Sequence, residues 1–283
     1  MRLLVSVRSP AEIPPALEGG AEIIDAKDPS RGALGPVGLP ALREIARRLP
    51  AGVPLSVALG DPGSSAEVIE AIGHVDGAIL RRTQLYVKLG LAGTPDHAAA
   101  EALASAAVRA ASRSANRPAV IMVAYADHEA ATAPDRWAIS RMAARAGAGG
   151  VLIDTYDKDG RDLFAHVGEP DLRRWIGEGR GAGLLMAVAG SLGVEGVLRA
   201  ATLGADIVGV RGAACEGGRN GVVVAGRVRA LRSVVDRSVA VSSAPSSASF
   251  SAPFSAPPAR RLTRNAAPAF APPPPPRVQL SIP

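Results

Sequence analysis

Residues 150–210 read GVLIDTYDKDGRDLFAHVGEPDLRRWIGEGRGAGLLMAVAGSLGVEGVLRAATLGADIVGV. Three short apolar runs, 150–155, 184–189 and 206–210, alternate here with helical stretches near 170–180 and 193–203. Each run is nearly continuous, which is typical of parallel strands that are covered on both faces. This alternation predicts a parallel sheet with right-handed crossovers.

The same alternation extends toward both ends of the chain. Further strands are predicted at 3–7, 22–26, 54–59, 85–90 and 119–125, and further helices near 10–18, 38–49, 64–73, 95–114, 134–146 and 221–236. Eight strand–helix units close a barrel, for which about 250 residues are typical. We therefore predict a single α/β domain at 1–236, a (β/α)8 TIM barrel. A doubly wound open sheet is the alternative.

The composition changes after residue 236. From 237 to 283 the chain consists mainly of Ser, Ala and Pro with scattered arginines and no acidic residue. Such a segment cannot bury enough apolar surface to offset its conformational entropy, so we predict a disordered tail. A proline-rich docking site or a shifted reading frame would also fit.

The net charge of +6 arises in this tail, because residues 1–236 carry 27 basic and 26 acidic residues. We therefore expect no nucleic-acid partner.

Cysteine content and hydropathy indicate the cellular compartment of the protein. The only cysteine, Cys215, excludes an intrachain disulfide and indicates a reducing environment. The apolar run at the N-terminus is too short for a signal peptide, and no run approaches the roughly 18 apolar residues of a membrane span. We expect a soluble cytoplasmic protein with no membrane partner. Homo-oligomerisation is compatible with the sequence on general grounds.

The basic residues are strongly biased toward arginine. Of 32 basic residues only three are lysine, Lys27, Lys88 and Lys158. Lysine differs from arginine in that it can lose its proton and attack a carbonyl carbon. All three fall in or directly after predicted strands, and catalytic groups of barrels gather at the C-terminal strand ends. The pattern predicts a lysine nucleophile; three incidental surface lysines are the alternative.

Two aspartates accompany these lysines. Asp25 and Lys27 are two residues apart on one strand, so their side chains point to the same face. Asp154 ends the sixth predicted strand, four residues before Lys158. Neighbouring ammonium groups and burial both disfavour protonation of a lysine, and the carboxylates could orient the amines and carry protons. The alternative is a simple charge pair at the barrel rim.

Glycine-containing loops follow the last two strands. Gly190 and Ser191 come after the seventh strand, and Arg211 and Gly212 after the eighth. In barrels these two loops often bind phosphate through backbone N–H groups, and Arg211 could add a charged donor. We therefore expect a small phosphorylated substrate, although tight turns also explain the glycines. The four histidines lack metal-ligand spacing and no nucleotide-binding motif occurs, so we expect no metal and no cofactor.

Five segments resemble one known family. They are AEIIDAKDPSRGALG (21–35), VKLGL (87–91), LIDTYDKDGRDLF (152–164), AVAGSL (187–192) and GADIVGVRGAAC (204–215). Over residues 2–236 the chain is similar to the (5-formylfuran-3-yl)methyl phosphate synthases. The resemblance implies a lyase that condenses two glyceraldehyde 3-phosphate molecules for methanofuran-type cofactor biosynthesis. It also implies that Lys27 forms the Schiff base and Lys88 accepts a proton, with Asp25, Asp154 and Lys158 in the site.

Two other functions remain open from the residues alone. Another Schiff-base aldolase of phosphorylated sugars would share the lysine chemistry, whereas a non-catalytic phosphate-binding barrel would need only the glycine loops. The chain also departs from the family pattern at residues 81–84, where additional polar residues precede VKLGL. The register of the fourth strand is therefore uncertain from the sequence.

Overall fold

The computed structural model describes residues 1–242 except residues 80, 81, 83 and 159, and describes side chains up to residue 237. Its main strands are β1 (Arg2–Val7), β2 (Ile23–Ala26), β3 (Leu55–Ala58), β4 (Leu85–Leu89), β5 (Ala119–Tyr125), β6 (Gly150–Asp154), β7 (Leu185–Val188) and β8 (Ile207–Val210). Its helices are α1 (Ile13–Glu18), α2 (Leu39–Arg48), α3 (Ser65–Ala78), α4 (His97–Arg113), α5 (Arg136–Ala146), α6 (Glu169–Gly181), α7 (Val194–Thr202) and α8 (Ala225–Ser242).

The eight strands form a closed parallel barrel in chain order. Closure is made by β1, which pairs with β2 on one side and with β8 on the other. The prediction of a (β/α)8 TIM barrel is therefore confirmed, and the open-sheet alternative is wrong. Among the described helices, none combines the length and apolarity needed to cross a membrane.

Alternate residues of each strand face the helices and the barrel interior. On β1 the side chains of Leu3, Val5 and Val7 are fully buried in the layer between sheet and helices. Their neighbours Leu4 and Ser6 line a cavity inside the barrel. Several interior positions carry small side chains, Ser6, Ser56, Ala187 and Gly209 among them, and the barrel is therefore not filled to its C-terminal end.

A short hairpin lies between the barrel and its last helix. Strands β9 (Cys215–Glu216) and β10 (Val222–Val223) pair antiparallel, and α8 begins only at Ala225. The sequence placed the start of this helix near 221, because two residues per strand are too few for a visible period. At its other end α8 extends to Ser242, and the rest of the predicted tail lies outside the described residues.

The polar segment before β4 contains a structural arginine. Arg82 donates from Nη1 to the carbonyls of Pro50 and Val53, and from Nη2 to those of Ala46 and Leu49. It thereby satisfies carbonyls at the C-terminus of α2, those of Ala46 and Leu49, and connects them to the loop that follows. The register of β4 is now defined: Ala58 on β3 pairs with Lys88, and Lys88 faces the barrel interior.

Candidate active site

A cavity of about 370 Å³ opens at the C-terminal ends of the strands. Its wall contains all three lysines of the chain and both predicted aspartates, and its rim contains Gly190, Ser191, Arg211 and Gly212. Every residue predicted for the site therefore lines one cavity. Residues more than 180 positions apart in the chain meet there because parallel barrel strands all end at the same face.

Lys88 and Asp25 form a buried ion pair across β3. Lys88 Nζ donates to Asp25 Oδ2 over 2.7 Å, and Ser6 Oγ donates to the same oxygen over 2.8 Å. The strand between them presents only Ser56 and Ala58 to the interior, so Lys88 on β4 can reach Asp25 on β2. The other oxygen, Asp25 Oδ1, is buried and has no hydrogen-bond partner among the described residues.

Asp154 at the end of β6 connects the other two lysines. Lys158 Nζ donates to Asp154 Oδ1 over 2.8 Å and also to Thr155 Oγ1 and the Thr155 carbonyl. These three bonds use all three N–H groups of an ammonium. Lys27 Nζ lies 3.7 Å from the other oxygen, Asp154 Oδ2, which is an ion-pair distance but a loose one. Lys27 is therefore the lysine least constrained by hydrogen bonds in the cavity wall.

The environment of Lys27 favours its neutral form. Burial is the largest cause and lowers the pKa of Lys27 from 10.5 to about 8. The charges of Lys88 and Lys158 act in the same direction, whereas those of Asp154 and Asp25 oppose it. A substantial fraction of neutral amine near neutral pH is what a lysine nucleophile requires.

Both aspartates remain ionised in the cavity. Burial favours the neutral acid, but the charges of Lys158 and Lys27 outweigh it and lower the pKa of Asp154 to about 2. Burial likewise acts on Asp25, and its pKa is nevertheless lowered by Lys88, by Lys27 and by the hydrogen bond from Ser6. The cavity thus combines one easily deprotonated amine with two carboxylates that hold their negative charge.

The loop after β7 has a shape suited to an anion. Gly190 has φ +111°, and a Cβ there would lie 3.1 Å from Thr155 N, so only glycine fits without strain. Ser191 follows with φ +52°, and α7 begins after Gly193 without a side-chain cap. The first N–H groups of α7 therefore lack intrahelical acceptors, and a phosphate is a suitable partner for them.

Arg211 has a role different from the predicted one. Its guanidinium donates twice to the buried Glu12 carboxylate and once each to the carbonyls of Ser6, Arg219 and Gly221. These five bonds equal the number of N–H groups in a guanidinium. The prediction of a charged phosphate donor is thereby corrected, because the side chain is fully engaged in holding β1 and the loop after β8 together.

Arg219 lines the same cavity and was missed by the sequence analysis. It lies between glycines in the hairpin after β8, a setting that is typical of a flexible loop. Its Nη2 donates to the carbonyls of Pro29 and Gly32, which are distant from Arg219 in the sequence and lie beside it only in the fold. Arg219 lies nine residues after the end of β8, and among 29 arginines nothing local in the sequence distinguished it.

Fold and site together define a (β/α)8 barrel with a lysine–aspartate cavity at the carboxyl ends of its strands. A family model described as 4-HFC-P synthase matches residues 3–232. The (5-formylfuran-3-yl)methyl phosphate synthase of Methanococcus maripaludis is 37% identical over 235 residues, covering 81% of this chain and 94% of the relative. That of Methanothermobacter thermautotrophicus is 35% identical, covering 83% and 99%. The chain belongs to this synthase family, as the sequence segments predicted.

Solved structures share the architecture at low identity. The 3-hexulose-6-phosphate synthase from Salmonella typhimurium has a TM-score of 0.58 at 20% identity, covering 84% of this chain and all of that one. A phosphoribosyl anthranilate isomerase from Thermus thermophilus has a TM-score of 0.56 at 16% identity, covering 84% and 99%. At these identities the likeness concerns the fold alone.

Proposed function

We propose that this protein is a (5-formylfuran-3-yl)methyl phosphate synthase that condenses two molecules of glyceraldehyde 3-phosphate through a Schiff base on Lys27. Inorganic phosphate and two molecules of water leave, and the carbon, hydrogen, oxygen and phosphorus atoms then balance without an oxidant. The activity is that of a phosphate-eliminating carbon–oxygen lyase. The product would supply the furan ring of a methanofuran-type cofactor in one-carbon metabolism.

The observation that carries this proposal is the position of Lys27. It is 7% exposed, lines the cavity, has a pKa lowered to about 8 and makes only a loose ion pair at 3.7 Å. Its neutral amine would attack the aldehyde carbon of one triose phosphate, and loss of water would leave a protonated imine. That imine acidifies the neighbouring C–H, because the electron pair can move onto nitrogen.

Lys88 is proposed to take the proton from this carbon. Asp25, 2.7 Å away, would then stabilise the ammonium that forms. Phosphate then leaves from C3 of the imine-bound molecule, and a conjugated iminium with an electrophilic C3 remains. The second molecule, as the enediol formed by loss of its C2 proton, attacks this C3 through its own C2 and forms the new carbon–carbon bond. Asp154, fixed by Lys158, would balance the positive charge of the Lys27 imine. The C2 oxygen of the first molecule then closes the ring on the aldehyde of the second, two molecules of water leave, and hydrolysis of the imine releases the formyl group and frees Lys27.

The decisive experiment incubates the purified protein with glyceraldehyde 3-phosphate and follows ultraviolet absorbance together with released phosphate. We expect a furan aldehyde chromophore and phosphate in a one-to-one ratio with the wild type and neither with Lys27→Arg. Borohydride with substrate should attach the triose to Lys27, as detected by peptide mass spectrometry. Labelling without a chromophore would indicate an aldolase with an open-chain product. Neither labelling nor chromophore from folded protein would contradict the proposal.

A further inference from the structure

In the loop from residue 217 to 221, three consecutive backbone carbonyls accept hydrogen bonds from arginine side chains. Arg211 donates to the carbonyls of Arg219 and Gly221, and Arg8 donates to that of Asn220 over 2.9 Å. Gly217 and Gly218 adopt positive φ values that allow the turn. The backbone of Arg219 is therefore fixed at the cavity mouth by other arginines, so its own side chain is available for another role.

The side chain of Arg219 extends from β8 past β1 to the loop that follows β2. Its Nη2 donates to the Gly32 carbonyl over 2.7 Å and to the Pro29 carbonyl over 3.2 Å. Lys27 begins this same loop, two residues before Pro29. The guanidinium is thus fixed on the Lys27 side of the mouth, whereas the phosphate loop of Gly190 and Ser191 follows β7 on the other side of β8.

Arg219 also differs in charge pairing from the other cations of the cavity. Lys27, Lys88, Lys158 and Arg211 each have a carboxylate within 4 Å. In the part of the chain that the structure describes, no carboxylate lies this close to Arg219, and its Nε and Nη1 donate to no protein acceptor. A half-buried guanidinium with three unused N–H groups at the mouth of a cavity is suited to bind an anion.

The proposed reaction brings two such anions into the cavity. Each glyceraldehyde 3-phosphate carries a phosphate of about −1.5 to −2 charge at neutral pH, and the loops after β7 and β8 form one phosphate site. We propose that Arg219 binds the phosphate of the second glyceraldehyde 3-phosphate, the one that forms no imine and keeps its phosphate in the product, while the loops bind that of the imine-forming molecule. This assignment rests on the proposed function. It explains why the site has an unpaired arginine in addition to its paired cations.

Binding stoichiometry tests the subsite without turnover. Isothermal titration with sn-glycerol 3-phosphate, which lacks a carbonyl group, should show two molecules bound per wild-type chain and one per Arg219→Gln chain. Arg31→Gln is the matched control, because it removes an exposed arginine from the same loop after β2 without touching the cavity, and should bind two. A wild type that binds one molecule, or an Arg219→Gln variant that still binds two, overturns the proposal.

Kinetics then test the assignment of Arg219 to the second molecule. We expect Arg219→Gln to raise the KM for furan formation roughly 10- to 100-fold, as for loss of a hydrogen-bonded charge. Borohydride trapping of the first aldehyde on Lys27 should stay within about twofold of wild type. A parallel fall in trapping would overturn the assignment, because Arg219 would then serve the imine-forming molecule. Arg219→Lys keeps the positive charge, so its KM should lie between those of the wild type and Arg219→Gln. This variant replaces Arg219→Gln if the latter does not fold.

The two proposals can fail separately. If the wild type produces no furan aldehyde, the proposed function is wrong, and the titration with glycerol 3-phosphate still decides whether Arg219 forms a second phosphate subsite. If furan forms at the wild-type rate and KM in Arg219→Gln, the subsite proposal is wrong and the synthase activity stands.

Discussion

Burial of Lys27 has two consequences, one for the proposed chemistry and one for the stability of the fold. Burial that lowers its pKa to about 8 makes the amine available for attack, and it also makes the protonated form unfavourable in the folded protein. The shift from 10.5 corresponds to about 3 kcal/mol. Stability is thus lowered at the residue on which the proposed chemistry depends, as expected for a functional site.

The pH dependence of imine formation should report the protonation of Lys27. Because only the neutral amine attacks, the rate of borohydride trapping with glyceraldehyde 3-phosphate should rise with pH and level off above a pKa of about 8. Asp154→Asn removes the strongest charge that favours the ammonium, so this midpoint should move down. Lys88→Met removes a repelling charge and frees Asp25, so the midpoint should move up. Equal midpoints in all three proteins would contradict this account.

The stability of Lys27→Met relative to wild type should decrease as the pH rises. A lysine with a folded-state pKa of about 8 and an unfolded-state value near 10.5 lowers stability below pH 8, and this penalty disappears as the pH rises toward 10.5. The variant has no such penalty. Urea unfolding should therefore show its relative stability decreasing by up to about 3 kcal/mol as the pH rises over this interval. A pH-independent difference would mean that Lys27 is not strained by burial.

In the loop between β7 and α7, the backbone shape and the proposed phosphate binding depend on the same residues. Gly190 places the chain against Thr155 and Leu163, and the turn directs it into the uncapped N-terminus of α7. The carbonyl of Gly190 also accepts from Leu163 N over 3.0 Å, which connects this loop to the one after β6. A change at Gly190 should therefore affect both the fold and the phosphate site.

Gly190→Ala should cost about 1–3 kcal/mol in stability, because alanine at φ +111° is strained and its Cβ meets Thr155 and Leu163 at 3.1–3.2 Å. It should also reduce the advantage of glyceraldehyde 3-phosphate over unphosphorylated glyceraldehyde in the trapping rate on Lys27. Gly193→Ala is the stability control, since that position has φ −85° and no neighbour within 4 Å of a Cβ. An unchanged ratio in Gly190→Ala would argue against a phosphate in this loop.

At the scale of the whole molecule, the sequence predicted the barrel and the lysines and aspartates that line its cavity, because nearly continuous apolar runs and chemically distinctive lysines are local signals. It did not predict which groups pair. The ion pair of Arg211 with Glu12 joins residues 199 positions apart, and the contact of Arg219 with Gly32 spans 187. Such contacts depend on the barrel closing between β1 and β8, which no local pattern encodes. The hairpin of β9 and β10 was missed because its strands are too short to show a period.

The boundary of the folded unit leads to a last prediction. The family model ends at residue 232, and the matched relatives are covered almost completely by about four fifths of this chain. A chain that ends at residue 242 should therefore keep the wild-type melting temperature and the same rate of furan formation. The contrasting truncation ends at residue 224 and removes α8, whose buried Val228, Leu231 and Val235 contribute roughly 1.5–3 kcal/mol each. That chain should not fold, as judged by circular dichroism. If the chain ending at residue 242 loses stability or activity, residues 243–283 belong to the working enzyme.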